Sequence, residues 1–517
     1  VSYYQGAFQG YPDGGGVGPT RFWADYGMPR PLIVAPALPP GLDGYEPASP
    51  EWWRDRLIGR IGLRWQRVAL AESYYQGYHR LAYATDKYQS AFGDMFRAFS
   101  DNWMRIVVDS CAERLQVQGF RLDSGATGDQ LEIGDKAAWG VWQRNRLDSE
   151  QILAHTTAIV TGQSYILVGF DDDGSSLIQV EHPAHAIVEM EPSTRRRRLA
   201  GLRTFQDVDG SVVVTLYLPD EIYWWRYQDR AFTLIETWGN NQPATGKNPL
   251  GVVPLIPLVN SPTTAQREGE SDVLPVVPLQ DAVNKLVLDM MVSSEFAAFP
   301  QRWATGLEIP EDESGNRQVP FQVALDKILT SADPQTKFGD FNAVNMANYT
   351  GPIKELVSHI AAQTSTPPHY LMNEGIKNVS ADAIKSAEAS LVAKVKRKMP
   401  IFAEAWEEAI SLASFIDGII PTPEAWSSEV IWVDPESRTK TQEIDSIMKL
   451  GALGLPHIAL WNMIPGVSPS EVERWRTLRE LELATDPGFF GAQLTPQDPA
   501  VASSIPLAGK GGNLYDG

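Results

Sequence analysis

Residues 278–300 read PLQDAVNKLVLDMMVSSEFAAFP, and residues 352–368 read PIKELVSHIAAQTSTPP. In the first stretch Val283, Leu286, Val287, Met290 and Met291 recur at the i, i+3, i+4, i+7, i+8 spacing of one apolar helical face. Pro278 stands where a helix can open, because the first helical N–H groups have no partner to lose, and Pro300 closes the pattern. At 1.5 Å per residue this is a rod of about 33 Å. The second stretch repeats the spacing with Ile353, Leu356, Val357, Ile360 and Ala361, with Pro352 as its expected opening and Pro367-Pro368 as its stop. Asp281, Lys285, Asp289 and Glu295 fall off the first apolar stripe. Two amphipathic rods that bracket the mixed segment 301–351 predict a helical stalk carrying a small tip.

Upstream, the pattern is first helical and then extended. Pro50 precedes Trp52, Trp53, Leu57, Ile61, Leu63, Trp65, Val68 and Leu70, close to a 3.6-residue period. Helices are also predicted over 101–115 and 149–161. The period then falls to two, and strands are predicted over 164–170, 177–182, 186–191, 199–206, 212–218 and 222–227. The turn residues Asp171-Asp172-Asp173-Gly174, Pro192-Ser193 and Asp209-Gly210 separate them. Helices followed by an antiparallel sheet make the fold class α+β.

Downstream of the second rod, the loop 369–381 leads into a helix over 381–415. Its apolar face is Ile384, Ala387, Leu391, Val395, Phe402, Trp406 and Ile410, with a bend expected at Met399-Pro400. A strand over 429–433 and helices over 439–450, 456–463 and 468–484 follow. The resulting division is an extended Gly/Pro/Tyr-rich arm over 1–48, a helix-and-strand unit over 49–277, the rods over 278–300 and 352–368, the tip over 301–351 and the loop over 369–381. The long helix with a return strand covers 382–435, terminal helices cover 436–485, and a Pro/Gly-rich tail covers 486–517.

Composition narrows the function. The 517 residues are 43% hydrophobic and 21% charged, enough to bury a large core, and the length suits roughly three to four domains. Lys and Arg number 44 against 64 Asp and Glu, so the net charge is −20. That balance argues against a basic, sequence-reading nucleic-acid binder. It is compatible with an acidic wall around a polyanion, in which sparse lysines guide without gripping. The single cysteine, Cys111, allows neither an intrachain disulfide nor a multi-cysteine metal site. Apolar runs such as 251–259 fall far short of the roughly eighteen residues of a membrane span, so no membrane partner is expected. The first residues lack a basic stretch followed by an apolar run, so no secretory signal is expected there.

No motif for catalysis, cofactor or metal survives inspection. The Gly239–Lys247 stretch has Asn241 and Asn248 where a phosphate-binding loop needs Gly and Ser or Thr. Gly162-Gln163-Ser164-Tyr165-Ile166 lacks the second glycine of a nucleophile elbow, and there is no HExxH. His182 and His185 flank Pro183 between two strands and read as structural rather than as metal ligands. Asp171–Asp173 lacks the distal glutamate of a calcium loop and reads as a hairpin turn. Arg195–Arg198 reads either as a polyanion patch or, more plainly, as a solvated strand end beside Glu189 and Glu191. Lys394, Lys396, Arg397 and Lys398 read by themselves as a solvated helix face, and the tryptophans on helical stripes as packing.

The order of parts resembles a known family. Glu72-Ser73-Tyr74-Tyr75-Gln76-Gly77-Tyr78-His79 resembles the early YY-x-G helix of tailed-bacteriophage portal proteins. So do Asn102-Trp103, Val107-Val108-Asp109, Ala112-Glu113-Arg114-Leu115 and Gly119-Phe120, and then Gly269-Glu270-Ser271-Asp272 leading into the first rod. The wing, stem, clip, stem, tunnel-loop and long-helix plan of portals is similar to this order over about residues 50 to 485. The pattern is nearest to the Gp6-like portals of phages that infect actinobacteria.

The resemblance implies a dodecameric ring at one capsid vertex of the virion, assembled in the host cytoplasm, with no enzymatic activity and no cofactor. Double-stranded DNA would pass through its channel during packaging and ejection. Terminase, and later head-completion or adaptor proteins, would dock on it, and major capsid protein and scaffold would surround it. Asn373, Lys377, Asn378, Lys385 and Lys394 would face the DNA channel. Val283, Leu286, Val287, Met290, Ile353, Leu356, Val357 and Ile360 would pack the stem. Glu308, Glu311, Asp312, Glu313 and Arg317 would form the clip docking surface. The terminal helices would form a crown, and arm and tail would wrap neighbouring subunits or other virion proteins. The competing readings are another virion structural protein, a minor capsid or connector protein, or an acidic, Trp-rich glycoside hydrolase with two carboxylates across a cleft.

Overall fold

The structure is a computed structural model that describes residues 45–79, 100–123, 129–238, 242–243, 245–298, 302–305, 337–340, 345–372, 381–422, 427–436, 440–454 and 469–485, with a few isolated positions besides. The arm, most of the tip, residues 373–380 of the loop, most of the helix expected over 456–463 and the tail lie outside them.

Helix α1 (Pro50–Gln76) opens as its sequence predicts. Ser49 accepts from the Trp52 N–H at 3.3 Å and proline takes the first turn. Gly77 closes it at φ +89°, with the Tyr78 N–H bonded to the Ser73 carbonyl and the Gly77 N–H to that of Tyr74. Helix α2 (Met104–Ala112) is shorter at both ends than the predicted 101–115. The Trp103 N–H is bonded to the Gln280 side chain, and the Asn102 side chain caps Met104. At the other end Arg114 and Leu115 tighten into three-residue turns.

Strand β1 (Val117–Asp123) and helix α3 (Asp129–Arg144) were not evident from periodicity. The partner of β1 lies about three hundred residues downstream, and α3 carries Gly134 and Gly140 within a poorly periodic apolar run. Helix α4 (Leu147–Thr161) then leads into the strands. These are β2 (Gln163–Phe170), β3 (Ser176–Glu181), β4 (Ala186–Met190), β5 (Arg198–Gln206), β6 (Val212–Tyr217), β7 (Glu221–Gln228), β8 (Ala231–Leu234) and β9 (Leu255–Val259). All pair antiparallel. One sheet runs β9-β2-β3; the other is the meander β4-β5-β6-β7 with β8 and Gly246–Lys247 also on β7, and β4 is its terminal strand.

Helix α5 (Val277–Ala298) is the first rod. Two short strands, β10 (Arg302–Thr305) and β11 (Lys337–Asp340), pair antiparallel within the predicted tip. Helix α6 (Ala347–Thr364) is the second rod and begins before Pro352, which therefore lies inside it. Met346 is its N-cap and has no side-chain cap bond; Asn345, one residue earlier, accepts from the Ala347 N–H at 3.0 Å. Ser365, at φ +56°, ends α6, and the short helix α7 (Pro368–Leu371) follows. Helix α8 (Ala381–Ile416) continues through Pro400. Strand β12 (Ser427–Trp432) returns to pair with β1, Phe120 opposite Val430. Helices α9 (Lys440–Ala452) and α10 (Pro469–Thr485) complete the described chain, in which no helix is long and apolar enough to cross a membrane.

One hydrophobic core joins α2, α3, α4, β2, both rods and α8, through Val107, Trp142, Ile159, Val283, Ile360, Phe402 and Trp406. A second fills the space between α1 and the meander, with Leu57, Ile61, Leu202, Val214 and Trp225. A third, around Tyr165, Val188 and Leu255, lies between the two sheets. The rods are thus anchored in the body of the molecule by their lower halves.

Candidate functional site

The sequence blocks that are most distinctive converge where the rods enter the body. Helix α5 buries three polar side chains there: Gln280 is fully buried, and Asp281 and Asn284 are each 2% exposed. Burial of such groups is costly unless each is hydrogen-bonded. The Tyr74 hydroxyl donates to Asp281. Gln280 accepts from the Trp103 N–H at 3.1 Å and donates to the Asp101 carbonyl. Asn284 accepts from the Asp101 N–H at 3.2 Å and donates to His79 Nδ1 at 2.8 Å, while His79 Nε2 faces the Tyr74 carbonyl at 3.0 Å. Burial pushes the His79 pKa down, so the ring is neutral. Tyr75 donates to Asp109 at 2.9 Å, and Asn102 donates to the Tyr75 carbonyl at 3.0 Å. The YY-x-G and Asn-Trp blocks are therefore the socket of the first rod.

Gly269-Glu270-Ser271-Asp272 is the second half of that socket. Gly269 has φ +86°, and a Cβ there would stand 2.2 Å from the Gly162 carbonyl oxygen and 2.8 Å from that of Asn260, so only glycine fits. Ser271 donates to the Val160 carbonyl and accepts from the Val273 and Leu274 N–H groups, each at 3.1 Å, which caps the turn into α5. Asp272 receives Lys398 at 3.0 Å and Asn260 at 2.9 Å on one oxygen, and Lys394 at 2.8 Å on the other. The two ammonium groups hold its carboxyl down at about 2 against a strong opposing effect of burial. Lys398 is fully buried, and desolvation lowers its pKa while Asp272 opposes the shift. One carboxylate thus fastens two turns of α8 to the root of α5.

Arg114 forms a third tie. It donates to the Pro435 carbonyl at 2.6 Å and to the Tyr370 hydroxyl at 2.8 Å, and pairs with Glu388 at 3.2 Å. Tyr370 donates in turn to Glu388 at 2.8 Å. One guanidinium therefore links the end of α2 to α7, to α8 and to the chain beyond β12. Hydroxyls, amides and ion pairs of this kind hold elements in register. They include no nucleophile–base pair in an open cleft, and the described residues hold no group of three metal-ligating side chains.

The sequence-predicted residues separate under this geometry. Val283, Val287, Val357 and Ile360 are buried in the main core, and Ile353 and Leu356 pack against it. Leu286 and Met290 are only half-buried, on the margin of the α5–α6 pair. Asp281, placed off the apolar stripe by spacing, is instead inside the socket. Lys394 and Lys398, expected on a solvated face, are internal. The Lys394 ammonium also donates to the Thr364 carbonyl at 2.9 Å, so its charge is engaged within the subunit. Lys398 was legible in hindsight, because it falls three residues after Val395 and four before Phe402, on the apolar stripe. Lys385 is half-buried on α8, beside a cleft lined by Glu388, Lys396 and Glu436. Asn373, Lys377 and Asn378, and the tip residues Glu308, Glu311, Asp312, Glu313 and Arg317, lie outside the described residues.

The minor candidates resolve into local structure. His182 Nδ1 accepts from the Ala184 N–H at 3.1 Å, and its Nε2 lies 3.3 Å from Glu72. Asp171–Ser175 is a hairpin turn in which the side chains of Asp171 and Asp173 accept from backbone N–H groups. Within the arginine run, only Arg198 pairs as an internal residue, to Glu408 at 2.8 Å.

The family described as phage portal protein, SPP1 Gp6-like, matches residues 55–482 of this chain. The chain is 32% identical over 485 residues to the portal protein of Mycobacterium phage D29, covering 89% of this chain and 94% of that protein. It is 34% identical over 420 residues to the portal protein of Mycobacterium phage L5, covering 77% and 82% respectively. Among solved structures, a chain from the neck of the native gene transfer agent (GTA) particle, computed with C12 symmetry, overlaps 78% of this chain and 99% of its own length at 10% identity and a TM-score of 0.40. That likeness is too distant to carry an arrangement of subunits across.

Proposed function

From the premise that this chain belongs to the phage portal protein family of the SPP1 Gp6-like type, we propose that it assembles into a dodecameric ring at one capsid vertex and conducts double-stranded DNA into and out of the head. The chain is a portal protein of the phage head–tail connector, and the family is structural rather than enzymatic, which removes the glycoside-hydrolase reading. The observation that carries the proposal is the socket. Two rods of 22 and 18 residues rise side by side from one body and are joined at the far end by a small β pair. The lower end of the first is locked by Gln280, Asp281, Asn284 and Asp272, and Lys394 donates to the Thr364 carbonyl at the foot of the second. A subunit that must bear force along a channel needs rods that cannot pivot at the root, and buried polar networks specify such a single arrangement.

In the ring, the tip over 301–351 would receive terminase during packaging and head-completion or adaptor proteins afterwards. Major capsid protein and scaffold would contact the wing. Asn373, Lys377 and Asn378, with Lys385 above them, would form sparse basic and polar rings in an acidic conduit. A net charge of −20 per subunit keeps phosphate from adhering to the wall, and isolated basic rings hold it loosely. Negative-stain imaging of the purified protein, with its mass measured in solution, tests the reading. Twelve- or thirteen-fold rings with a central opening are expected. A 57.2 kDa monomer that stays monomeric with scaffold and capsid protein present would refute it.

A further inference from the structure

The terminal strand β4 and the terminal strand β9 of the other sheet face each other across a cleft of ≈ 660 Å³. Met190 from one side and Pro257 and Val259 from the other give it an apolar floor, above Ile187 and Val188, which are buried in the subunit's own cores. Four arginines and three glutamates line it. The carboxylates are already engaged. Glu189 receives Arg56 at 3.1 Å and Arg60 as well, Arg60 also reaches Glu268, and Thr194 donates to Glu191. Two of the arginines are not. The side chains of Arg195 and Arg267 are exposed and make no ion pair or hydrogen bond among the described residues. Arg196 and Arg197 are exposed and equally uncommitted on the turn that rims the cleft. That turn is rigidly made: the Arg195 N–H is bonded to the Glu191 carbonyl, and the Glu191 N–H to that of Arg197. Of the carboxylates beside this run, Glu189 is committed to Arg56 and Arg60, and Glu191 accepts only the Thr194 hydroxyl among the described residues.

A chain of net charge −20 that keeps two guanidiniums, Arg195 and Arg267, unpaired in one cleft, with Arg196 and Arg197 beside them in sequence, offers a site for an anionic partner there. We propose that this cleft docks an extended protein segment whose carboxylates alternate with apolar side chains. Alternation matches the site, because a strand laid along the edge of β4 turns successive side chains toward the floor and toward the rim. A nucleic acid fits less well, because it has no apolar side chains to place against Met190, Pro257 and Val259.

The test uses the full-length protein and a fluorescein-labelled peptide of alternating Glu and Val, read by fluorescence anisotropy. Saturable binding is expected, weakening as salt rises. The double variant Arg195→Glu/Arg267→Glu should bind about tenfold more weakly, the scale of losing one charge-assisted contact. The same peptide with Lys for Glu should not bind, and a double-stranded oligonucleotide should not displace the probe. If the double variant melts below the wild type, Arg195→Gln/Arg267→Gln replaces it. No saturable binding, equal binding by the variants, or displacement by the duplex overturns the proposal. Binding by the unassembled chain that vanishes on ring formation overturns it too, because the occupant would then be a second copy of this chain.

Discussion

At the residue scale, Asp272 and His155 carry the clearest consequences. Asp272 is the carboxylate shared by two buried ammonium groups. Asp272→Asn leaves Lys394 and Lys398 facing each other without compensation, and the expected loss is about 3–5 kcal/mol. Lys398→Met removes a charge together with its need for a partner and should cost clearly less. Urea midpoints of the two variants should show this order. His155 is fully buried, its Nδ1 3.0 Å from the Leu115 carbonyl and its Nε2 accepting the Trp406 indole N–H at 2.9 Å. Both bonds are satisfied only by the neutral ring. Burial lowers its pKa from 6.5 to about 3. The unfolded chain therefore takes up a proton that the folded chain refuses. Stability from this group is complete above about pH 6.5 and is lost as pH falls toward about 3, at about 1.4 kcal/mol per unit. Between pH 7 and pH 5 it should fall by about 2 kcal/mol. His155→Asn should be less stable at pH 7 but show a flatter profile over that interval. Some slope will remain from His79, whose pKa burial also lowers.

At the scale of elements, the first rod has apolar residues in two settings. Val283 and Val287 on α5, and Val357 and Ile360 on α6, belong to the core of the subunit. Leu286 and Met290 stand at its margin, half-exposed in the isolated chain. Leu286→Asp/Met290→Asp should therefore leave the subunit folded, with its melting temperature within a few degrees of wild type, yet abolish rings in electron micrographs. Rings that persist in this variant would assign the subunit contact to another face. The rods were legible in the sequence because their apolar spacing is regular, and the strands from β2 to β7 because alternation and turn residues agree. Other features were not. Pro352 reads as a helix start by local rule, but the helix starts earlier, where Asn345 accepts from the Ala347 N–H, and tertiary packing tolerates the proline within. Helix α3 was hidden by its glycines, and β1 by the distance to β12. The polar socket was invisible as chemistry. Gln280, Asp281 and Asn284 look like an ordinary solvated face until the residues at 74–79 and 101–103 are brought against them, and periodicity alone carries no such long-range information.

For the whole molecule, the balance of charge decides how DNA would move. In the proposed dodecamer every exposed charge would be repeated twelvefold, so subunits of net charge −20 would repel phosphate overall while a single lumen-facing lysine would become a basic ring. Lys394 and Lys398 are removed from that account because Asp272 engages both inside the subunit. Arg114 is removed as well, by Glu388 and Tyr370. In the proposed ring the burden would then fall on Lys377, the one cation of the sequence 372–380 between α7 and α8. Lys377→Glu should leave subunit stability and ring symmetry unchanged if the residue serves the channel rather than the fold. It should lower the nuclease-protected DNA recovered per head several-fold, because twelve added carboxylates would replace an attractive ring with a repulsive one. Lys377→Gln, which removes attraction without adding repulsion, should fall between the two. The quantity to measure is protected DNA against ionic strength. If the ring acts by charge, the gap between Lys377→Glu and wild type narrows as salt shortens the Debye length from about 10 Å at 0.1 M. Equal DNA content in all three proteins at low salt would place Lys377 away from the channel wall and leave passage to repulsion alone.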